Sequence, residues 1–461
     1  MRALEVVIPV VLAVHLLWPR PRPFSIRLLP AFALTAILMH GIFEGFRWQM
    51  IPLYVLAMFL AVSARIRRRS SPDPKPLASA LMLVLLAVFT ALPVVLPVPS
   101  IPASNGPYQV GTRIYDLTDV SRQELYSGKT EARRFQIQVW YPSEPGPSDE
   151  DAPWMSDAEI FAPSIATYID MPPFFLDHLK LVKMPAYKDS KIAPTTEGYP
   201  VILFSHGWNG FNAQNTGQAI QLASHGYVVV GVQHTYGAVV TVFSDGTIAH
   251  NNPSALPNGA PDDEYEAAAQ KLVQQWADDL GYALRFLEEE TNDSASPFHK
   301  SLDLSRVGVY GHSTGGGAAI QFCGTNARCN ALLGMDPFMR PVSVEVLENG
   351  VSQPAFFMFS QHWADDVDSR NSILFHRFIP NASNPLGVVS IDGTTHYDFS
   401  DLPLLSPLAP RLGLKGPISG LRVTTIINDY LLSFFDRTLK GVPTDLFEPQ
   451  NQKYNEVKFD K

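Results

Sequence analysis

The chain has 461 residues, 46% of them apolar, and a formal charge of −9. That charge is divided: residues 1–105 hold ten Lys/Arg against three acids, a net +7, which leaves the remainder at −16. An acidic body repels phosphate backbones and so argues against nucleic acid. Metal-ligand spacing, P-loops and dinucleotide fingerprints are missing from the sequence, so it calls for no metal and no cofactor.

In chain order, four apolar runs come first: Leu4–Trp18, Leu28–Phe46, Trp48–Ala64 and Leu77–Val98. A helix needs about 20 apolar residues to cross the hydrocarbon core. The fourth run meets that length, the second and third come close, and the first is short and contains Pro9. A signal peptide accounts for the first run alone. The expectation is an all-α transmembrane region of about four helices over residues 1–99, followed by a Pro-containing linker, residues 100–107. Arg20, Arg22 and Arg27 lie between the first two runs; Arg65, Arg67, Arg68, Arg69 and Lys75 lie between the third and fourth. By the positive-inside rule both loops are cytoplasmic, and the body then lies on the extracytoplasmic side of a multi-pass membrane protein.

Residues 108–448 form the expected catalytic domain and residues 449–461 a C-terminal tail. Arg134–Tyr141 alternates polar and apolar residues, the period of a half-buried strand. Residues 160–188 are apolar and irregular around Phe174, Phe175 and Leu176, which read either as core or as substrate-facing residues. Then strands and helices alternate: strand Tyr199–Phe204, helix Asn215–His225, strand Tyr227–Val232, helix Asp262–Glu290, and strands Arg306–Tyr310, Ala331–Met335, Ala355–Ser360 and Val388–Ile391. An amphipathic helix, Ile418–Lys440, closes the series. This is the pattern of an α/β fold with a mostly parallel, doubly wound sheet.

Gly311-His-Ser313-Thr-Gly315 sits between a short apolar strand and a small-residue helix. A serine there projects from a sharp turn above the sheet, with a helix N-terminus aimed at developing negative charge. A serine hydroxyl needs a base, and in the α/β-hydrolase order the acid and then the histidine follow it. His396 lies in a turn-rich loop just after a predicted strand and is the expected base; His362 is the runner-up, and His376 falls within a predicted helix. Asp336 ends the strand after the elbow and is the expected acid, with Asp365, Asp366 and Asp368 as competitors. The backbone N–H groups of Thr314 and Trp208 are the expected oxyanion donors, Trp208 from the loop Ser205-His-Gly-Trp208. His206 and His234 read as structural. Cys323 and Cys329 are either two buried thiols or one disulfide across a short loop.

Taken together, Gly106–Gly111, Val139–Ser143, Phe204–Gly207, Leu222–Tyr227, Gly311–Gly316 and the His396 loop with Asp398–Asp401 resemble the plasma-type platelet-activating-factor acetylhydrolases, over roughly residues 106–441. The resemblance implies an α/β-hydrolase fold and a calcium-independent serine esterase that removes short or oxidised acyl chains from the sn-2 position of phospholipids. It also implies the triad and oxyanion donors at the positions above. Thr314 stands where the animal enzymes carry a bulkier aromatic, and the apolar leader is absent from those secreted enzymes. Alternative readings are an esterase or amidase acting on other substrates, and a non-catalytic membrane sensor on the same scaffold. The partners expected are a small ester or phospholipid and the lipid bilayer.

Overall fold

In the computed structural model, residues 1–19, 21–66 and 76–460 are described. Four apolar helices lead: α1 (Ala3–Leu17), α2 (Phe24–Phe43), α3 (Ile51–Ile66) and α4 (Pro76–Val95). Three apolar helical segments, Phe24–Phe43, Trp48–Ile66 and Leu77–Val95, are long and apolar enough to cross a membrane; α1 is shorter. Ile8, Leu12, Leu53, Leu56 and Leu86 pack together inside the bundle, while Phe32, Leu38, Val55, Phe59 and Val84 point outward and are exposed. Of the basic residues that set the expected orientation, Arg20, Arg67, Arg68, Arg69 and Lys75 lie outside the described residues.

One end of the bundle is closed by buried charge. Glu5, within α1, accepts from Arg47 at 2.7 and 2.8 Å and from Arg2, with His40 3.5 Å away. The same end meets the body. Trp48 Nε1 donates to the Phe175 carbonyl at 3.2 Å, the Gln49 amide donates to His178 Nδ1 at 2.8 Å, and the Ser406 hydroxyl donates to the Val95 carbonyl at 2.7 Å.

The body is built on β1 (Gln109–Gln123), β2 (Ala132–Ser143), β3 (Asp151–Pro153), β4 (Lys183–Lys188), β5 (Tyr199–Ser205), β6 (Val228–Gln233), the small hairpin β7 (Val240–Val242) and β8 (Ile248–His250), β9 (Leu302–His312), β10 (Ala331–Met335), β11 (Pro354–Ser360), β12 (Asn384–Ile391) and β13 (Val457–Phe459). Eleven of these make one sheet in the order β13-β12-β11-β10-β9-β5-β6-β2-β1-β4-β3. From β6 to β12 every pairing is parallel. The chain steps from β5 outward to β6, then returns to lay β9 on the other flank of β5, so the winding reverses between β5 and β9. In open α/β sheets ligands bind outside the carboxyl ends of the strands at such a reversal.

Alternation within the strands explains why they are apolar throughout. In β5, Val201 and Leu203 enter one core, against the long helix α7 (Asp262–Asn292), while Ile202 and Phe204 enter the other, against α6 (Thr216–Ser224) and the helix Gly420–Leu439. A strand buried on both faces has no polar side to show.

The irregular stretch read from sequence resolves into helix α5 (Ala158–Tyr168), a 3₁₀ segment Pro173–Leu181 and β4. Leu176 is core, whereas Phe174 and Phe175 pack against Trp48 of the bundle. Residues 449–461, read as a tail, supply β13, which pairs antiparallel with β12. A disulfide joins Cys323 to Cys329, with the Cα atoms 5.2 Å apart.

Candidate active site

β9 ends at His312, and helix α8 (Thr314–Thr325) begins two residues later. Ser313 makes the turn between them at φ +58°, a conformation costly for a residue with a Cβ. The surroundings hold it there: its N–H donates to the Met335 carbonyl and its own carbonyl accepts from Phe338. Glycine is required on both sides of the turn. A Cβ at Gly311 would lie 2.2 Å from the Gly315 carbonyl oxygen, and one at Gly315 would lie 2.1 Å from that of Ser205. The Ser313 hydroxyl is half-buried and has no hydrogen-bond partner among the described residues.

Asp336 follows β10 at φ +40° and is fully buried. Its carboxylate accepts from the Ser360 N–H at 2.7 Å, the Ser360 hydroxyl at 2.6 Å and His396 Nδ1 at 3.0 Å. Because the carboxylate can only accept, the His396 proton sits on Nδ1, and Nε2 keeps a free lone pair. The His396 ring is clamped from two sides. Trp363 stacks on it with centroids 4.4 Å apart and planes at 7°, and His312 lies 4.5 Å away. His312 Nε2 donates to the His396 carbonyl at 2.9 Å while Nδ1 accepts from Gln214 at 3.2 Å. Burial, helped by the nearby His396, holds the His312 imidazole well below its ordinary pKa, so it stays neutral.

The competing residues lie elsewhere. His362 is exposed, and its backbone N–H donates to the Thr394 carbonyl. His376 is exposed and bonds within its own helix. Asp365, Asp366 and Asp368 are exposed.

The loop after β5 reaches the elbow closely: a Cβ on Gly207 would come within 3.2 Å of the Ser313 Cβ. The backbone N–H groups of Trp208 and Thr314 both have no partner among the described residues. Below this loop lies a sealed polar chain of which the sequence reading caught only His234, as a structural histidine. The Ser205 hydroxyl bonds to His234 Nε2 at 2.9 Å, His234 Nδ1 donates to Asp279 at 3.0 Å, and Asp279 is paired with buried Arg133 at 2.6 Å. This array repeats the residue types Ser, His and Asp found at the elbow, but Ser205, His234 and Asp279 are all inaccessible to solvent. The sequence signal was available, since three buried polar residues on strands and a core helix need partners, but nothing in it says which ones pair.

One cluster of possible metal ligands occurs among the described residues: Glu5, His40 and Glu44, with ligand atoms within 4.8 Å of one another. Arg2 and Arg47 are ion-paired to Glu5 there, so positive charge already occupies the place a cation would take.

Residues 95–455 match the family described as platelet-activating factor acetylhydrolase, isoform II. The chain is 29% identical over 360 residues to platelet-activating factor acetylhydrolase of Cavia porcellus, covering 74% of this chain and 78% of that one. It is 24% identical over 401 residues to a probable 1-alkyl-2-acetylglycerophosphocholine esterase of Arthroderma benhamiae, covering 78% and 93%. Among solved structures, a ferulic acid esterase from Streptomyces cinnamoneus superposes with a TM-score of 0.65 at 23% identity, over 79% of this chain and all of that chain, a likeness of fold. The fold is that of an α/β-hydrolase, and the chain belongs to the platelet-activating factor acetylhydrolase isoform II family.

Proposed function

We propose that this chain is a membrane-anchored serine ester hydrolase that cleaves short or oxidised acyl esters, with sn-2 phospholipid esters as its substrate class. The observation that carries the reading is the 3.0 Å contact of His396 Nδ1 with buried Asp336, together with a serine held at positive φ and the Trp208 and Thr314 amides, which have no partner among the described residues. Ser313 Oγ attacks the ester carbonyl as its proton passes to His396 Nε2. Asp336 stabilises the imidazolium and fixes its tautomer. The Trp208 and Thr314 amides receive the oxyanion. The imidazolium then protonates the leaving alcohol, and water, deprotonated by the same imidazole, releases the acid. Hydrogen bonds from nucleophile to base are commonly long without substrate and tighten in the Michaelis complex, consistent with the unbonded Ser313 hydroxyl.

The ring contacts with Trp48 account for Phe174 and Phe175; of the three apolar residues singled out, Phe174, about half exposed, is the one open to an acyl chain. The membrane topology follows from the basic loops: the three long apolar helices span, Arg22, Arg27 and Arg65 lie at the cytoplasmic end, and the body lies outside. In support, the starts of α1 and α3 and the ends of α2 and α4 gather at the end nearest the body, opposite those arginines. An outside body accommodates the Cys323–Cys329 bridge, and thiol titration of the denatured, unreduced chain is expected to find no free thiol.

The function is tested on the full chain in detergent with p-nitrophenyl esters of increasing acyl length. Turnover is expected to fall with chain length and to drop by about 10³-fold or more in Ser313→Ala. Wild-type turnover in that variant contradicts the assignment. Preference for long acyl chains or for amides leaves a serine hydrolase but removes the substrate class.

A further inference from the structure

The loop that carries the Trp208 amide is aimed by a buried histidine. His206 is fully buried. Its Nε2 accepts the backbone N–H of His234 at 3.1 Å, and a backbone amide can only donate. The proton of neutral His206 therefore sits on Nδ1, which donates to the carbonyl of Gly207 at 2.7 Å. That carbonyl and the Trp208 N–H belong to one planar trans peptide, so they point in opposite directions. Fixing the carbonyl on one side fixes the amide on the other, in a peptide whose Gly207 abuts the elbow. Gly210 N–H adds a second bond to the same carbonyl at 2.9 Å. Donation into the carbonyl also polarises the peptide and makes its N–H a stronger donor in a low-dielectric site.

The partner that sets this tautomer is itself fixed. His234 is stacked on Trp276 at 4.2 Å and 4°, and it is tied at both ring nitrogens, to Ser205 and to Asp279. Trp276 also lies 5.1 Å from the His206 ring. Burial pushes both imidazoles down, His234 to about 4, so neither is protonated near neutral pH and the donor and acceptor roles do not invert.

We propose that His206 is a positioning residue for ester cleavage: locked as its Nδ1–H tautomer by the His234 backbone, it orients and polarises the Gly207–Trp208 peptide as an oxyanion donor. This rests on the reading of Ser313 as nucleophile and the Trp208 amide as donor. It assigns His206 no contact with substrate.

The test uses the full-length chain in detergent and three variants, His206→Leu, His206→Asn and His206→Gln. The asparagine amide nitrogen lies near the place of Nδ1 and still reaches the Gly207 carbonyl; the glutamine amide lies near Nε2 and does not. Removing an oxyanion donor outright costs about 10²–10³ in kcat, so a misaimed one is expected to cost about ten- to a hundredfold. In H206L and H206Q, kcat should fall by that factor with KM little changed. Affinity for an alkyl trifluoromethyl ketone, which forms a tetrahedral oxyanion on a serine, should fall in parallel. H206N should recover most of both. If H206L does not fold, the H206N–H206Q pair carries the comparison. Equal kcat and equal ketone affinity across the folded variants overturn the proposal, whether all match wild type or all are equally impaired. Ser313→Ala runs alongside: activity surviving there removes the underlying nucleophile assignment, whereas an inactive S313A with an unimpaired H206L removes only the role of His206.

Discussion

The indole of Trp363 lies flat on the imidazole of His396, with centroids 4.4 Å apart and planes 7° from parallel. The contact comes from a helix of five residues, Gln361–Asp365, whose N-cap is Ser360, the same residue that donates twice to Asp336. One short turn thus holds both the Asp336 carboxylate and one face of the His396 ring. Trp363→Ala removes one of the two clamping faces while leaving the Asp336 bond and the His312 contact, so the ring gains freedom on the side the indole covered. A base misplaced by about 1 Å can cost up to a hundredfold. We expect kcat/KM for p-nitrophenyl acetate to fall about ten- to a hundredfold in W363A and to stay near wild type in Trp363→Phe. An unchanged W363A rejects this role.

Acid stability should be governed by buried imidazoles. His178 and His234 are pushed down to about 4 by burial, and His206 and His312 well below the ordinary value. An unfolded histidine titrates near 6.5. Between about pH 6.5 and 4 the unfolded chain therefore binds more protons than the native one at these four sites, and stability falls as pH falls. The raised carboxyls Asp157, Asp278, Asp401 and Asp460 act in the opposite sense, and of these only Asp401 carries a large shift. Four large imidazole shifts against that one predict a thermal midpoint that drops steadily from about pH 6.5 to 4.5. A midpoint constant over that interval contradicts the neutral, buried assignment.

Asp401 itself can be isolated. It accepts from the Gly217 N–H at 3.2 Å at the start of α6, yet burial outweighs that bond and pushes its pKa up to about 7. A carboxyl raised in the folded state favours folding below its unfolded pKa, and that advantage is lost as pH climbs to the folded value. Asp401→Asn keeps an acceptor without the charge. Its stability relative to wild type should grow between pH 4 and pH 7 and level off above, at roughly 2–4 kcal/mol. Urea unfolding of both proteins at pH 5 and pH 8 checks this, and a difference that shrinks with pH refutes it.

The features legible in the sequence were those written locally. The elbow is a five-residue pattern on a strand–helix boundary, and β10 was readable to the residue because Ala331–Met335 is uniformly apolar and stops at Asp336. Ser313, Asp336 and His396 follow β9, β10 and β12 in chain order, with β11 lying between the last two. What stayed hidden depends on residues far apart in sequence. Trp363 faces His396 because β11 and β12 are neighbours, which no period announces. The Ser205–His234–Asp279 chain joins β5, the end of β6 and α7. The strand Val457–Phe459 is three residues long, too short to show alternation. Residues 160–188 looked irregular because their partners include the N-terminal apolar helical region: Trp48 and Gln49 hold Phe175 and His178 from outside the body.

The central claim is that one hydroxyl, at position 313, carries the chemistry. Labelling the full-length protein with a fluorophosphonate and mapping the modified peptide by mass spectrometry tests it most directly. The adduct is expected on Ser313 alone, absent in Ser313→Ala and strongly slowed in His396→Ala. A modified peptide that lacks Ser313, or labelling that persists in S313A, contradicts it.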